Sequence, residues 1–249
     1  MNDSDPGQHR LQEQFLATLH RLEQRGDRDG LLEVAALAVE QGCWDRVEQR
    51  PPLFIRGLTA RPLWPTAPFE LVARLEAAAE SIIAEVDDLL KRQEERFKTV
   101  PDAIYEGHWD DLALLRDGVR DESLCQQLPT LDRLLDDHPE VTTLRDGCVA
   151  LSRLTPGSHI SPHCGPTNAR LRLHMGLRNL ESCELRVADQ RMGWRRGKCL
   201  IFDDSFEHEV VHRGDQVRYI LLVDFWHPEL GAEQIARYQS WNEQQLAAR

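Results

Sequence analysis

The chain has 249 residues, of which 41% are hydrophobic and 29% are charged. This composition is ordinary for one well-buried globular domain, and it excludes a disordered chain and a membrane protein. The formal net charge of -12 comes from 42 acidic and 30 basic residues. This acidic balance argues against nucleic-acid binding, because recognition of a phosphate backbone needs clustered Lys and Arg side chains.

Three further features of the sequence predict a cytoplasmic protein without a membrane span. No apolar stretch approaches the roughly 18 residues that a transmembrane helix needs. Residues 1–10 are polar and lack the apolar core of a signal peptide. The cysteines are scattered, which favours reduced thiols over a disulfide framework. They are Cys43, Cys125, Cys148, Cys164, Cys183 and Cys199.

The N-terminal part of the chain has apolar residues at helical spacing. Residues 11–22 and 31–39 each carry one apolar stripe, and Gly26 lies in the turn between them. We therefore predict that residues 1–44 form a helical hairpin that caps a main domain over residues 45–249. A remnant of a helical repeat that binds a partner is the alternative, although a single hairpin shows no repeat period.

The first part of the predicted main domain is helical and irregular. Residues 45–68 are rich in Pro, Arg and Trp, which predicts extended chain without regular structure. An apolar stripe predicts one long helix from Phe69 to Phe97. A shorter helix is predicted from about Pro129 to Asp136.

Short alternating runs follow residue 145 and predict β-strands. Residues 149–154 form one such run, and residues 170–175 alternate strictly between Arg or His and an apolar side chain. Residues 199–202 and 219–223 are nearly continuous apolar strands. Strands of this length and spacing are typical of a sandwich or jelly roll.

One predicted strand has a polar face that carries Arg172 and His174. If this face points into a jelly roll, its buried charge is costly unless an anionic ligand binds there. If it points outward, it is an ordinary solvent face. The strand by itself leaves both interpretations open.

Two histidines and one arginine strengthen the first interpretation. His163 follows two proline-containing turns, and His208 follows the strand that ends at Phe202. Imidazole is a good ligand for iron. Arg218 lies in the next predicted strand, where a guanidinium can bind a carboxylate through two hydrogen bonds. The pattern indicates a metal site beside a dicarboxylate cofactor.

Three motifs resemble the aspartyl/asparaginyl β-hydroxylases. They are His163-Cys-Gly-Pro-Thr-Asn-Ala-Arg-Leu-Arg-Leu-His174, Leu200-Ile-Phe-Asp-Asp-Ser-Phe-Glu-His-Glu-Val210 and Arg218-Tyr-Ile-Leu-Leu-Val-Asp-Phe-Trp-His-Pro-Glu229. A looser likeness covers most of the chain beyond residue 44. The resemblance implies a mainly β fold, a cupin-like double-stranded β-helix preceded by α-helices. It also implies a dioxygenase that uses iron(II) and 2-oxoglutarate to hydroxylate the β-carbon of an aspartyl or asparaginyl residue or a related amino acid.

The resemblance implies that His163 and His208 are the iron ligands. Iron oxygenases usually add a carboxylate two residues after the first histidine, but Gly165 stands there, as in the resembled family. Water is expected at that position, and a halide could also enter, which keeps halogenation as an alternative chemistry. Nearby acidic residues are expected to support the ligands or lie on the surface. They are Asp203, Asp204, Glu207 and Glu209.

The resemblance also implies which residues bind the cofactor and the substrate. Arg218 would pair with the distal carboxylate of 2-oxoglutarate, and Ser152 would hydrogen-bond the same group. Arg172 and His174 would meet the end of the cofactor that chelates the metal. Arg170 would help to hold the substrate carboxylate.

Two other functions remain open on the sequence. One is an acyl-chain hydroxylase of the lipid A type, although the membrane-embedding segments of those enzymes are not found here. The other is a non-catalytic cupin-like module that binds a metal or ligand. For the first function, the expected partners are molecular oxygen and a small molecule, peptide or protein that bears Asp or Asn. The sequence does not distinguish among these substrates or fix the oligomeric state.

Overall fold

Two antiparallel β-sheets stand face to face and form a double-stranded β-helix, which confirms the predicted fold class. The structure is a computed structural model that describes residues 6–100 and 105–247, so the outermost residues of both predicted units lie outside it. The strands are β1 (Leu63–Trp64), β2 (Lys98–Thr99), β3 (Tyr105–Glu106), β4 (Trp109–Arg116), β5 (Val119–Arg120), β6 (Cys148–Leu154), β7 (His159–His163), β8 (Arg170–Arg178), β9 (Cys183–Val187), β10 (Gln190–Met192), β11 (Cys199–Phe202), β12 (His208–His212) and β13 (Arg218–Trp226).

The larger sheet has the strand order β1-β11-β8-β13-β6-β4-β2, with β5 paired to β4. The smaller sheet has the order β10-β9-β12-β7-β3. Apolar side chains from both sheets, including Leu185, Val210 and Ile220, pack together in the space between them. This interior also holds the polar side chains of the candidate site.

Helices precede the sheets, cover one of them and end the chain. They are α1 (Pro6–Arg25), α2 (Arg28–Glu40), α3 (Glu70–Ala77), α4 (Ala79–Gln93), α5 (Glu122–Cys125), α6 (Pro129–Asp136), α7 (Pro139–Thr142) and α8 (Ala232–Ala247). Helix α6 has the predicted bounds. No helix in the described ranges has both the length and the apolar character needed to cross a bilayer.

Strand β8 is buried on both faces. Leu171, Leu173 and Met175 are fully buried in a cluster that includes apolar residues of α3, α4 and α6. The alternate residues Arg170 and His174 are each 5% exposed. The polar face of β8 is therefore not a solvent face, which resolves the question that the sequence left open.

The predicted helix from Phe69 to Phe97 is two helices that meet at Ala78. No glycine or proline lies at this break, so local propensity does not explain it. The loop before β11 docks against both sides of the break. Glu76 of α3 accepts a 2.9 Å hydrogen bond from the Cys199 backbone N–H, and Glu80 of α4 pairs with Arg196. These tertiary contacts lie on either side of the break between the two helices.

Helices α1 and α2 form a hairpin with a small core of its own, which includes Leu19, Leu31 and Ala35. Gly26 ends α1 with φ +67°, a backbone conformation that favours glycine. Asp27 caps α2 by accepting a hydrogen bond from the N–H of Gly30. The division of the chain at residue 44 stays a prediction.

Candidate active site

His163 and His208 are direct partners across the β7–β12 pair, and their ring centroids lie 4.2 Å apart. The Nδ1 atom of His163 lies 2.8 Å from Ser161 O, and that of His208 lies 2.9 Å from Phe206 O. A carbonyl oxygen only accepts hydrogen bonds, so both Nδ1 atoms carry the hydrogen. In each ring, the nitrogen lone pair that can bind a metal is therefore on Nε2.

The surroundings of the His208 ring favour the neutral, metal-binding form of imidazole. Burial lowers the pKa of His208 well below its ordinary value, and the neighbouring His163 lowers it further. Both residues line the same narrow recess between the sheets. Within the described residues, no group of three or more His, Cys, Asp or Glu side chains could hold a metal ion.

Asp204 occupies the space beside Gly165. A Cβ atom built on Gly165 would lie 2.6 Å from the Asp204 Cγ atom, which is too close for any side chain. Gly165 does not have a positive φ, so its backbone conformation does not require glycine. Glycine is needed at this position because a larger side chain would collide with Asp204. Asp204 is fully buried, and its Oδ1 atom has no hydrogen-bond partner among the described residues. The carboxylate beside Gly165 therefore comes from the loop before β12 and not from the position two residues after His163.

The other acidic residues near His208 have partners of their own. Asp203 is buried and accepts hydrogen bonds from Gln49 and Ser205. Glu207 and Glu209 both pair with Arg186. Whether these three residues support the metal ligands stays a prediction.

Arg218 is buried, and no acidic side chain among the described residues forms an ion pair with it. Its side chain is 1% exposed, and its Nε and Nη1 atoms have no hydrogen-bond partner among the described residues. The guanidinium carbon lies 5.0 Å from the centre of the Trp194 ring, a cation–π contact. Burial lowers the pKa of Arg218, but a guanidinium stays charged in proteins. An unpaired buried charge is costly, so the site fits an anionic ligand.

Ser152 and His174 lie in the same recess as Arg218. The Ser152 hydroxyl oxygen accepts a 3.1 Å hydrogen bond from Trp109 Nε1, so it can donate its own hydrogen to a ligand. The His174 ring stacks on Trp194, and neither of its nitrogens has a hydrogen-bond partner in the described structure. Burial, followed by the charge of Arg172, lowers the pKa of His174 well below its ordinary value.

Arg170 and Arg172 differ from Arg218 because two aspartates already balance their charges. Arg172 donates from Nε and Nη2 to the two carboxylate oxygens of Asp224, at 2.7 and 3.0 Å. Asp204 Oδ2 lies 3.2 Å from Arg172 Nη1 and 3.3 Å from Arg170 Nη2. The roles of the two arginines toward ligand carboxylates stay predictions.

A wider cavity of about 390 Å³ opens in front of the recess. Its lining includes Gly165, Arg170 and Asp204. Ser152 and His163 line both spaces, so the two are contiguous. The arrangement gives a narrow recess lined by both histidines and Arg218, and a wider chamber lined by His163.

A family model described as aspartyl/asparaginyl beta-hydroxylase matches residues 76–228. The chain belongs to the aspartyl/asparaginyl β-hydroxylase family. It is 39% identical over 203 residues to the aspartyl/asparaginyl beta-hydroxylase of Homo sapiens, which covers 80% of this chain and 27% of that protein. The resemblance drawn from the three motifs is confirmed, and the chain spans about a quarter of the length of this relative.

A second relative is a hydroxylase named for its action on a lipid. The chain is 33% identical over 195 residues to the ornithine lipid ester-linked acyl 2-hydroxylase of Rhizobium tropici, covering 75% of this chain and 66% of that protein. Among solved structures, a prolyl-4-hydroxylase of Pseudomonas putida aligns with a TM-score of 0.42 and 14% identity, over 63% of this chain and 98% of that one.

Three side chains of this β-hydroxylase family member were not assigned to the site from its sequence. Asp224 pairs with Arg172, and an acidic residue inside the apolar strand β13 was an available signal for a buried partner. Trp194 lies in a loop without a pattern that could have indicated its place under Arg218 and His174. The position of Asp204 against Gly165 depends on the pairing of two loops.

Proposed function

We propose that this chain is an iron(II)- and 2-oxoglutarate-dependent dioxygenase that hydroxylates the β-carbon of an aspartyl or asparaginyl residue or a related amino acid. The observation that carries the proposal is the Arg218 guanidinium, which is buried without an anionic partner among the described residues and lines the same recess as the two histidines. A dicarboxylate that chelates a metal at one end and meets a guanidinium at the other satisfies both features.

The residues present fit both implied groups. His163 and His208 would hold iron(II) through Nε2, and Arg218 with Ser152 would bind the distal carboxylate of 2-oxoglutarate. His174 would meet the chelating end with one of its unpartnered nitrogens. When bound, iron(II) and 2-oxoglutarate supply the activation of molecular oxygen that hydroxylation requires.

The protein's own contribution is to position the ligands and exclude water. Phe202 packs edge-on against both His174 and His208, which fixes these rings and keeps the recess apolar around its polar atoms. Arg172 would border the cofactor with its charge already balanced by Asp224. Arg170 would hold the substrate carboxylate through Nε, which has no hydrogen-bond partner in the described residues.

An acyl-chain hydroxylase is the second candidate function. The relative from Rhizobium tropici supports it, because the match extends over 66% of that protein and 75% of this chain. The wider chamber lined by His163 does not by itself select an amino acid over an acyl chain. The two candidates share the cofactors and differ in the substrate.

Conversion of 2-oxoglutarate to succinate, measured with a panel of substrates, tests the proposal. The panel should contain free Asp and Asn, peptides that bear them, and acylated lipids. We expect iron-dependent succinate formation that rises with an Asp or Asn compound. Stimulation by the lipids alone would favour the second candidate, and no iron or 2-oxoglutarate binding would leave a cupin-like module.

Arg218→Met is expected to weaken 2-oxoglutarate binding much more than iron(II) binding. A hydrogen bond to a charged group contributes about 1.5–3 kcal/mol, so the dissociation constant should rise roughly ten- to a hundredfold. Anaerobic calorimetric titration of the iron-loaded protein with 2-oxoglutarate measures this change. Arg213→Met is the matched control, because Arg213 is exposed in the turn between β12 and β13. Unchanged binding in Arg218→Met would assign the distal carboxylate to another basic residue.

A further inference from the structure

Residues 47–55, here called the strap, run along the loop that follows β7 and its terminal histidine. The Leu53 backbone N–H donates to Pro166 O at 3.0 Å. The side chain of Asn168 accepts from the Ile55 N–H at 2.7 Å and donates to the Ile55 carbonyl at 2.8 Å. The strap thus holds the first histidine-bearing loop through backbone pairing and one buried amide.

The same strap also holds the loop that precedes β12. Gln49 Nε2 donates to Asp203 Oδ2 at 3.1 Å and to Ser205 Oγ at 2.9 Å. The Glu207 backbone N–H donates to Glu48 O at 2.6 Å. Both loops that carry the candidate metal ligands therefore meet one segment that lies far from them in sequence.

Gln49 is the centre of the second set of contacts. Its side chain is fully buried, and its Nε2 atom makes both of these hydrogen bonds, while its Oε1 atom has no partner among the described residues. Burying an amide costs free energy unless it is hydrogen-bonded, so the two Nε2 contacts hold Gln49 against this loop. Gln49 also forms a backbone bridge with Phe206. The carbonyl oxygen of Phe206 accepts the hydrogen bond from His208 Nδ1. A displacement of Gln49 would therefore move the group that orients the His208 ring.

We propose that Gln49 is a positioning residue for the metal centre, acting through Ser205 and Phe206 on the orientation of His208. The inference rests on the function proposed above, because it needs His208 to bind a metal. Gln49 lies outside the residues that the family model matches, which begin at residue 76. Partners behind metal-ligating histidines typically contribute about ten- to a hundredfold to metal affinity.

Gln49→Met tests the proposal, with Gln12→Met as the matched control. Gln12 donates to the carbonyl oxygens of Pro51 and Pro52 from the α1 side, so the control removes a contact with the strap that does not reach the histidine loops. Cobalt(II) titrations give the metal affinity and, from the visible absorption bands, the coordination geometry. We expect Gln49→Met to bind cobalt(II) about tenfold more weakly, with altered bands, and Gln12→Met to match the wild type.

The free energy of unfolding of each metal-free variant, measured in urea, separates positioning from stability. Ser205→Ala removes one acceptor of Gln49 and should weaken cobalt(II) binding in the same direction. If Gln49→Met loses stability but keeps the wild-type metal affinity and spectrum, the proposal is wrong. The proposal is also wrong if neither Gln49→Met nor Ser205→Ala folds, because the contacts of the strap then serve folding alone. A wild-type protein that binds no metal would instead refute the proposed function.

Discussion

His208→Ala is expected to lose iron(II) binding and 2-oxoglutarate turnover together. In the proposed site, His163 and His208 are the two protein ligands, and the described residues contain no group of three or more His, Cys, Asp or Glu side chains that could hold a metal ion. Loss of one imidazole therefore removes half of the protein's hold on the metal. His163→Ala should behave in the same way, since the two rings are paired across β7 and β12.

Iron content after anaerobic loading and succinate formation measure this prediction. His159→Ala is the control, because His159 lies on the same strand as His163 but pairs with Glu209 instead of lining the recess. We expect the control to retain iron and turnover. Full activity in either ligand variant would refute the assigned metal site.

Gly165→Asp is expected to lose most of the activity, although it restores the spacing of the usual iron-binding carboxylate. The added Cβ atom would lie 2.6 Å from the Cγ of Asp204, which is fully buried and paired with Arg170 and Arg172. Overpacking of this kind typically costs about 1–3 kcal/mol. The second carboxylate would also place a like charge beside Asp204, and burial makes that repulsion stronger.

Two further variants separate the steric effect from the electrostatic one. Gly165→Ala adds the Cβ atom without a charge, so its loss of activity reports the collision alone. The double variant Gly165→Asp with Asp204→Gly frees the space and keeps a single carboxylate, and it should bind iron(II) more tightly than Gly165→Asp. If Gly165→Asp by itself bound iron more tightly and turned over as fast as the wild type, the explanation from space would be wrong.

Local patterns in the sequence predicted the strands β6, β8, β11 and β13 of the larger sheet, but no strand of the smaller sheet. The strict alternation over residues 170–175 set the two faces of β8, because side chains of a strand point alternately to opposite sides. Helix α6 has its predicted bounds, since Pro129 begins an apolar stripe of helical spacing. The two histidines were found together because their motifs flank strands, and the structure pairs them directly.

Contacts between distant segments decided what the sequence left undetermined. The ion pair between Arg172 and Asp224 joins two strands, and only the register of β8 against β13 brings these side chains together. The close approach of Asp204 to Gly165 and the hydrogen bond from Gln49 to Asp203 also join segments that are far apart in the sequence or lie in different loops. The charge balance and the free space within the site depend on such contacts between distant residues. The periodicity of the sequence reports only which face of a strand or helix a residue occupies. The sequence therefore determined which residues share a strand face. The tertiary structure decided that the polar face of β8 is buried and that Arg218 has no acidic partner in the described chain, because both depend on which segments pack together.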